Sequence, residues 1–230
     1  MDAQRQPIFL PVPWPVWLLV GLILVPEIIL SGAGFGLWGG AEGIGWRSEA
    51  LVRFAFFDAH FEHVRQTGRD MAGLVTRTLS YSFVHFAPLH AGLAAAIALA
   101  LGTAVARRFA PLPFLMLLIL SAAAGAMAFG LATQARVPLA GAYPMIYGLI
   151  GAYSWTLFLA AGTDRRKQVA AFRLIGVLVV LQFIYRAILG GGPDWVADLA
   201  AFGAGFLLSF GLADDGPDRL RGWRDRLRQR

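Results

Sequence analysis

The sequence predicts an all-α integral membrane protein, a bundle of six transmembrane helices with both termini in the cytoplasm. Three observations carry this. The 230-residue chain is 57% hydrophobic and 15% charged, far from the balance of a water-soluble domain. Six apolar runs approach the roughly 20 residues that a helix needs to cross the hydrocarbon core. Thirteen of the basic residues fall on one side of those runs: Arg5, Arg107, Arg108, Arg165, Arg166, Lys167, Arg173 and six arginines of the tail. Such an excess marks the cytoplasmic face. The other side holds Arg47, Arg53, Arg65, Arg69, Arg77, Arg136 and Arg186, with Glu42, Glu49, Asp58, Glu62 and Asp70 offsetting most of the first four.

Composition also excludes several classes. With no cysteine, a disulfide framework, a thiolate metal site and a cysteine nucleophile are all ruled out. The net charge of +6 sits in short basic clusters between apolar runs, which is a topology pattern, so no nucleic-acid partner is expected. Residues 1–13 read as a cytoplasmic N-terminus. The apolar run that follows lacks a small-residue cleavage site soon after its core and reads as a retained span.

The spans are placed at Trp14 to Leu30, Ser80 to Ala104, Pro113 to Ala132, Tyr143 to Ala161, Leu174 to Leu189 and Trp195 to Leu212, giving a transmembrane domain over 14–213. In the first, Pro26 frees a backbone carbonyl, and Glu27 lies toward the outer end, within reach of water or an arginine. Residues 31–74 are long for a loop without structure of its own. Leu51, Phe54, Phe57 and Phe61 recur there at helical spacing between charges, predicting an amphipathic helix over LVRFAFFDAHFEHVRQ in the interface. His60 and His63, beside Asp58 and Glu62, offer zinc-type ligands without a fixed third one, so a solvated face is the reading and no metal is expected. Residues 214–230 are a basic cytoplasmic tail whose arginines suit anionic lipid or a solvated end.

Three segments carry chemistry. Arg77 precedes the second span, which holds His85, His90 and, four residues further on, Ala94. The fourth span opens LAGAYPMIYGLIGAY, with Gly141, Tyr143, Pro144, Tyr147 and Gly151; the sixth reads WVADLAAFGAGFLLS, with Asp198, Ala201 and Gly205. In this order and on these spans they resemble the rhomboid family of intramembrane serine proteases. That family carries an Arg before the second span, two histidines and an Asn on it, Gly-x-Ser-Gly at the fourth, and Ala-His-x-x-Gly-x-x-x-Gly at the sixth. Arg77, His85, His90, Gly141, Tyr147, Gly151 and Gly205 match. Ala94 stands at the Asn, Tyr143 at the nucleophilic Ser, Pro144 at the following Gly, Asp198 at the general-base His and Ala201 at the next Gly. The resemblance covers Arg77 to Gly205 and implies the six-helix rhomboid-like bundle.

Acyl transfer by serine needs a hydroxyl nucleophile, an imidazole base and oxyanion donors. At those positions the chain offers a phenol, a carboxylate and a methyl group, so it is expected to be proteolytically inactive and to need no cofactor. Tyr143 is expected to plug the former cleft with its hydroxyl bonded to Asp198 or His90; alternatively, Asp198 lies near the outer surface and is hydrated. His85 and His90 would point to different sides of a single helix, which favours structural hydrogen bonds over metal ligation. Small residues, Gly141, Gly148 and Gly151 facing Ala201 and Gly205, permit close helix packing. The resemblance then implies a pseudoprotease of the bacterial inner membrane that binds transmembrane client proteins in the bilayer, with a membrane protease or chaperone as a further partner. The cleft would comprise His85, His90, Gly141, Tyr143, Pro144, Tyr147, Asp198, Ala201 and Gly205. Two rival readings are an intramembrane enzyme with non-serine chemistry at Tyr143, Asp198 and His90, and a transporter, for which the apolar cores offer little polar path.

Overall fold

The structure is a computed structural model and describes residues 11–135, 137–189 and 192–214. The basic tail beyond Asp214, Arg5 and Arg136 lie outside the described residues. The chain opens with α1 (Trp14–Gly34) and then runs through four short helices, α2 (Gly40–Gly43), α3 (Trp46–Phe54), α4 (Asp58–Thr67) and α5 (Met71–Ser80). A 3-10 turn at Tyr81–Phe83 leads into α6 (Pro88–Ala106), α7 (Pro111–Ala132) and α8 (Tyr143–Ala160). The short α9 (Arg165–Ala170), then α10 (Arg173–Leu189) and α11 (Trp195–Leu212), complete the order.

Four of these helices, α1, α6, α7 and α8, carry a proline in the first turn. Its missing N–H is free there in any case, and its fixed φ is already helical. Among the described residues, α1, α6, α7 and α11 are long and apolar enough to cross a membrane. The other two expected spans fall short of that combination, α10 with 17 residues and α8 through its polar content. The reason for α8 is its position. It packs against α6, α7 and α11 and buries most of its surface in protein, so it has little need of a lipid-like exterior.

The centre of the bundle is built on close backbone approach. A Cβ at Gly205 would run into the carbonyl of Gly148, and one at Gly151 into the carbonyl of Phe202. On the other side of α8, a Cβ at Gly148 would collide with the Ser121 side chain of α7. In an apolar solvent, where helices gain little from hydrophobic burial, contact this close supplies the dispersion that holds them together. Gly141, grouped by the sequence with this stripe, does not belong to it. It precedes α8 at φ 103°, where its amide donates to the Tyr81 carbonyl at 2.9 Å.

Two expectations are corrected. The second span does not start at Ser80. Its apolar run is interrupted at Val84–Ala87, and the helix begins at Pro88 with Ala87 extended at φ −154° and ψ 155°. A residue before proline is pushed out of the helical region, so Pro88 ends one element and starts the next. The amphipathic helix expected over residues 51–66 is likewise two helices, α3 and α4, divided at Ala55–Phe57. Phe56 pairs antiparallel with Leu139, each amide donating to the other's carbonyl at 3.0 and 2.9 Å, and that pairing consumes the backbone groups a helix would need. Its ring, fully buried, lies among Phe61, Tyr81 and Phe129 at 6.1–6.4 Å.

The outer segment is tied down by arginines. Arg77 donates to the Val52 and Ala55 carbonyls, both at 2.8 Å, fixing the α3–α4 corner. Arg47 grips Glu27 of α1 at 2.6 and 3.0 Å and reaches the His85 carbonyl at 2.7 Å. This is the arginine that attends Glu27, a carboxylate only 6% exposed. On the surface His60 pairs with Asp70 at 2.9 Å.

Candidate functional site

A cleft of about 650 Å³ lies at the head of α8. Tyr143, Pro144 and Tyr147 of α8 form one wall, with His90 of α6 above them and Asp198 of α11 across. Leu178, Leu181 and Gln182 of α10 close the remaining side, and Phe86 and Trp195 stand at its ends. The lining is mainly apolar with a few polar groups placed in it, the usual character of a binding cleft.

The break before α6 assembles the two histidines. On one helix His85 and His90 would diverge, but His85 lies in the extended stretch and His90 in the first turn of α6, so their rings meet edge to face at 5.3 Å. Gly141 makes the space for both. A Cβ there would lie 2.7 Å from His90 Cε1 and 3.2 Å from His85 Cδ2. His85, fully buried, accepts the Ala142 amide on Nε2 at 3.2 Å. That amide is one of the unpaired donors at the start of α8, and in the neutral ring its acceptance leaves the proton on Nδ1. His85 is therefore a cap for α8 behind the cleft and does not line it. His90 stacks on the ring of Tyr143 at 4.8 Å and 12°.

Asp198 corrects the plugged-cleft expectation. Its carboxylate, 4% exposed, takes no hydrogen bond from Tyr143 among the described residues and instead accepts from Gln182 Nε2 of α10 at 2.6 Å. Tyr143 does stand across the cleft, but it is held by ring stacking. Gln182 was missed by the sequence reading. The available signal was a lone amide inside an apolar run, which at membrane depth calls for a partner. Ala94, Ala201 and Gly205 lie away from the cleft: Ala94 in the buried face of α6, the other two in the contact of α11 with α8.

Nucleophile and base chemistry requires the two groups within roughly 2.6–3.2 Å in hydrogen-bonding geometry. Tyr143 and His90 face each other ring to ring, and Asp198 is engaged by Gln182. Ser82, Ser121 and Ser154 are buried hydroxyls without a hydrogen-bond partner among the described residues, and none lines the cleft.

The Asp198–Gln182 bond yields a double-mutant test. Asp198→Ala and Gln182→Leu are each expected to cost about 1–3 kcal/mol and to combine for less than their sum. Asp198→Ala with Tyr143→Phe is expected to come closer to additivity, since no hydrogen bond joins that pair among the described residues. Thermal unfolding in detergent reads the parent and the five variants, and strict additivity for the Asp198 and Gln182 pair would disprove the bond.

No curated protein matches the chain. A family model, the Rhomboid domain, matches residues 72–215, which take in α5 through α11 and every residue of the cleft. The chain is all-helical over that stretch, it carries helices suited to a bilayer, and it belongs to the rhomboid family of membrane proteins.

Proposed function

We propose that this rhomboid is proteolytically inactive and uses the cleft at the head of α8 to bind transmembrane segments of other membrane proteins, in quality control, trafficking or delivery to a protease or chaperone. The observation that carries this reading is Tyr143 stacked on His90 at the position where the resemblance puts serine. A phenol ring pinned flat against an imidazole leaves neither group aimed at the other as nucleophile and base. The same arrangement counts against the rival non-serine chemistry, since none of Tyr143, His90 and Asp198 is hydrogen-bonded to another.

The wall opposite supports guest entry. Among the described side chains of α10 only Ile175 is buried, while Val177, Val180, Leu181, Ile184 and Ile188 are exposed. A cavity of about 650 Å³ takes several side chains. It does not take a whole helix, which is about 10–12 Å across. The guest therefore lies against the α10 side and presents side chains inward, where the carboxylate of Asp198 is an acceptor for a polar group it carries. α8 and α10 complete six spans in this reading. Each is about 26–27 Å long at helical rise, close to the hydrocarbon thickness. The basic clusters after α6 and α8 support a cytoplasmic position for both termini, in a bacterial inner membrane.

A photo-crosslinking residue in place of Leu181, in native membranes, tests this. Crosslinks to the membrane spans of other proteins are expected from Leu181, and fewer from Val180, which lies outside the cleft lining. Crosslinks confined to lipid at both positions would overturn client binding.

A further inference from the structure

A second cavity, of about 430 Å³, lies at the opposite end of α8 from the cleft. Trp155, Thr156 and Leu159 of α8 wall it, Arg107 and Arg108 at the end of α6 stand on one rim, and Asp214 after α11 stands on another. Its frame is fixed. Arg107 Nη2 donates to the Pro11 carbonyl at 3.2 Å, and the Asp214 amide donates to the Arg108 carbonyl at 3.0 Å. Thr156 spends its hydroxyl on the Ala152 carbonyl at 3.0 Å.

What remains unspent is a set of donors. The Arg108 guanidinium has no hydrogen bond or ion pair among the described residues. The Trp155 indole N–H is buried and without a partner among the described residues, in a side chain only 2% exposed. Arginines beside helix C-termini ordinarily offset the negative end of the macrodipole, which accounts for the charge at this rim. It does not account for a cavity behind the arginines or for an indole donor left unpaired in its wall. The same end of the bundle carries Arg165, Arg166, Lys167 and Arg173, a concentration that draws anionic headgroups to the surface around it.

We propose that this cavity binds a phosphate group at the membrane interface. Guanidinium groups match phosphate with paired, charge-assisted hydrogen bonds, and the indole supplies a neutral donor deeper in. Two arginines against the Asp214 carboxylate leave a net charge of one positive, which suits a singly charged phosphodiester. Leu159 and the Trp155 ring offer apolar surface to the carbons beyond it. The phosphate comes from an anionic glycerophospholipid headgroup or from free phosphate in solution. Because the C-terminal carbonyls of α6 and α11 disfavour an anion, the arginines supply the charge attraction.

The test uses the full chain in zwitterionic nanodiscs and reads tryptophan fluorescence during titration with phosphatidylglycerol that carries a nitroxide quencher near its headgroup. Trp155→Phe identifies the fraction of quenching that arises at this site. Saturable quenching by phosphatidylglycerol is expected, with the half-saturation point raised at least about tenfold by Arg107→Gln with Arg108→Gln. Nitroxide-labelled phosphatidylcholine, whose choline the arginines repel, should show no such component. Arg108→Gln alone, which breaks no contact of the fold among the described residues, is expected to weaken binding in the same direction. Inorganic phosphate added as competitor separates the sources: displacement at millimolar concentration assigns the site to free phosphate, and no displacement assigns it to the lipid. Equal quenching by both lipids without phosphate competition, or unchanged binding in the arginine variants, would overturn the proposal.

Discussion

Arg47→Ala is expected to cost up to about 3–5 kcal/mol, the loss that follows when one partner of a buried ion pair is removed, since Glu27 is buried and Arg47 partly so. Glu27 keeps only the Ser31 hydroxyl once the guanidinium is gone, on a carboxylate that is 6% exposed. The same arginine holds the His85 carbonyl at 2.7 Å, so its loss also slackens the stretch that presents the His85 ring to the Ala142 amide at the start of α8. Arg47→Lys keeps the charge but not the planar fork that spans both carboxylate oxygens and the carbonyl, and an intermediate loss is expected. Glu27→Gln placed on Arg47→Ala removes the stranded charge and should recover part of the stability. Unfolding in detergent, followed by helical circular dichroism, ranks the four proteins. An Arg47→Ala protein within about 0.5 kcal/mol of the parent, the range of an ordinary surface change, would mean that the pair contributes nothing.

Gly205→Leu is expected to cost more than about 3 kcal/mol, at or beyond the upper end of overpacking penalties, and to prevent recovery of a monodisperse protein. The clash is with backbone. A Cβ at Gly205 would lie 2.7 Å from Gly148 Cα and closer still to its carbonyl oxygen, so no rotamer change relieves it. Gly203, on the same helix, has nothing within 4 Å of such a carbon, and Gly203→Ala is expected to be neutral or to stabilise by up to about 1 kcal/mol. Melting temperatures of the Gly203→Ala and Gly205→Ala proteins make the comparison with one methyl group each. Equal melting would show that α8 and α11 do not approach at Gly148. Since Gly205 lies in this contact and not in the cleft, a bulky residue there reports on folding and not on guest entry.

Local signals made much of the architecture legible in the sequence. The starts of α8 at Tyr143 and of α11 at Trp195 coincide with expectation, because Pro144 and the Gly-Pro segment before Trp195 mark helix entry whatever surrounds them. The break before Pro88 was equally local, yet the apolar run from Ser80 to Ala104 masked it, since hydropathy is blind to backbone direction. Phe56 shows the opposite case. Nothing near it in sequence announces that its backbone pairs with Leu139, and the spacing of Leu51, Phe54, Phe57 and Phe61 pointed to a continuous helix that the long-range pairing overrides. Glu27 and Arg47 were both visible as charges, but their meeting depends on how the chain folds back between them.

Of the residues the resemblance grouped in a cleft, His90, Tyr143, Pro144, Tyr147 and Asp198 line the cavity, His85, Gly141, Ala201 and Gly205 do not, and the α10 wall was left out. A carboxylate at membrane depth demands a partner. The sequence suggested the tyrosine nearest by family analogy, whereas geometry supplied Gln182. The distinction changes the chemistry assigned to Tyr143, from a plug whose hydroxyl bonds Asp198 or His90 to a ring that fills space beside His90.

The proposal that this rhomboid holds membrane segments without cutting them is tested most directly by reconstituting the purified chain in proteoliposomes with a single-span rhomboid substrate and a fluorophosphonate probe. The substrate is expected to stay intact, with no serine labelled, and nonetheless to crosslink to a photoreactive residue at Leu181. Cleavage of the substrate that disappears on substituting Tyr143 or one of Ser80, Ser82 and Ser154 would contradict it.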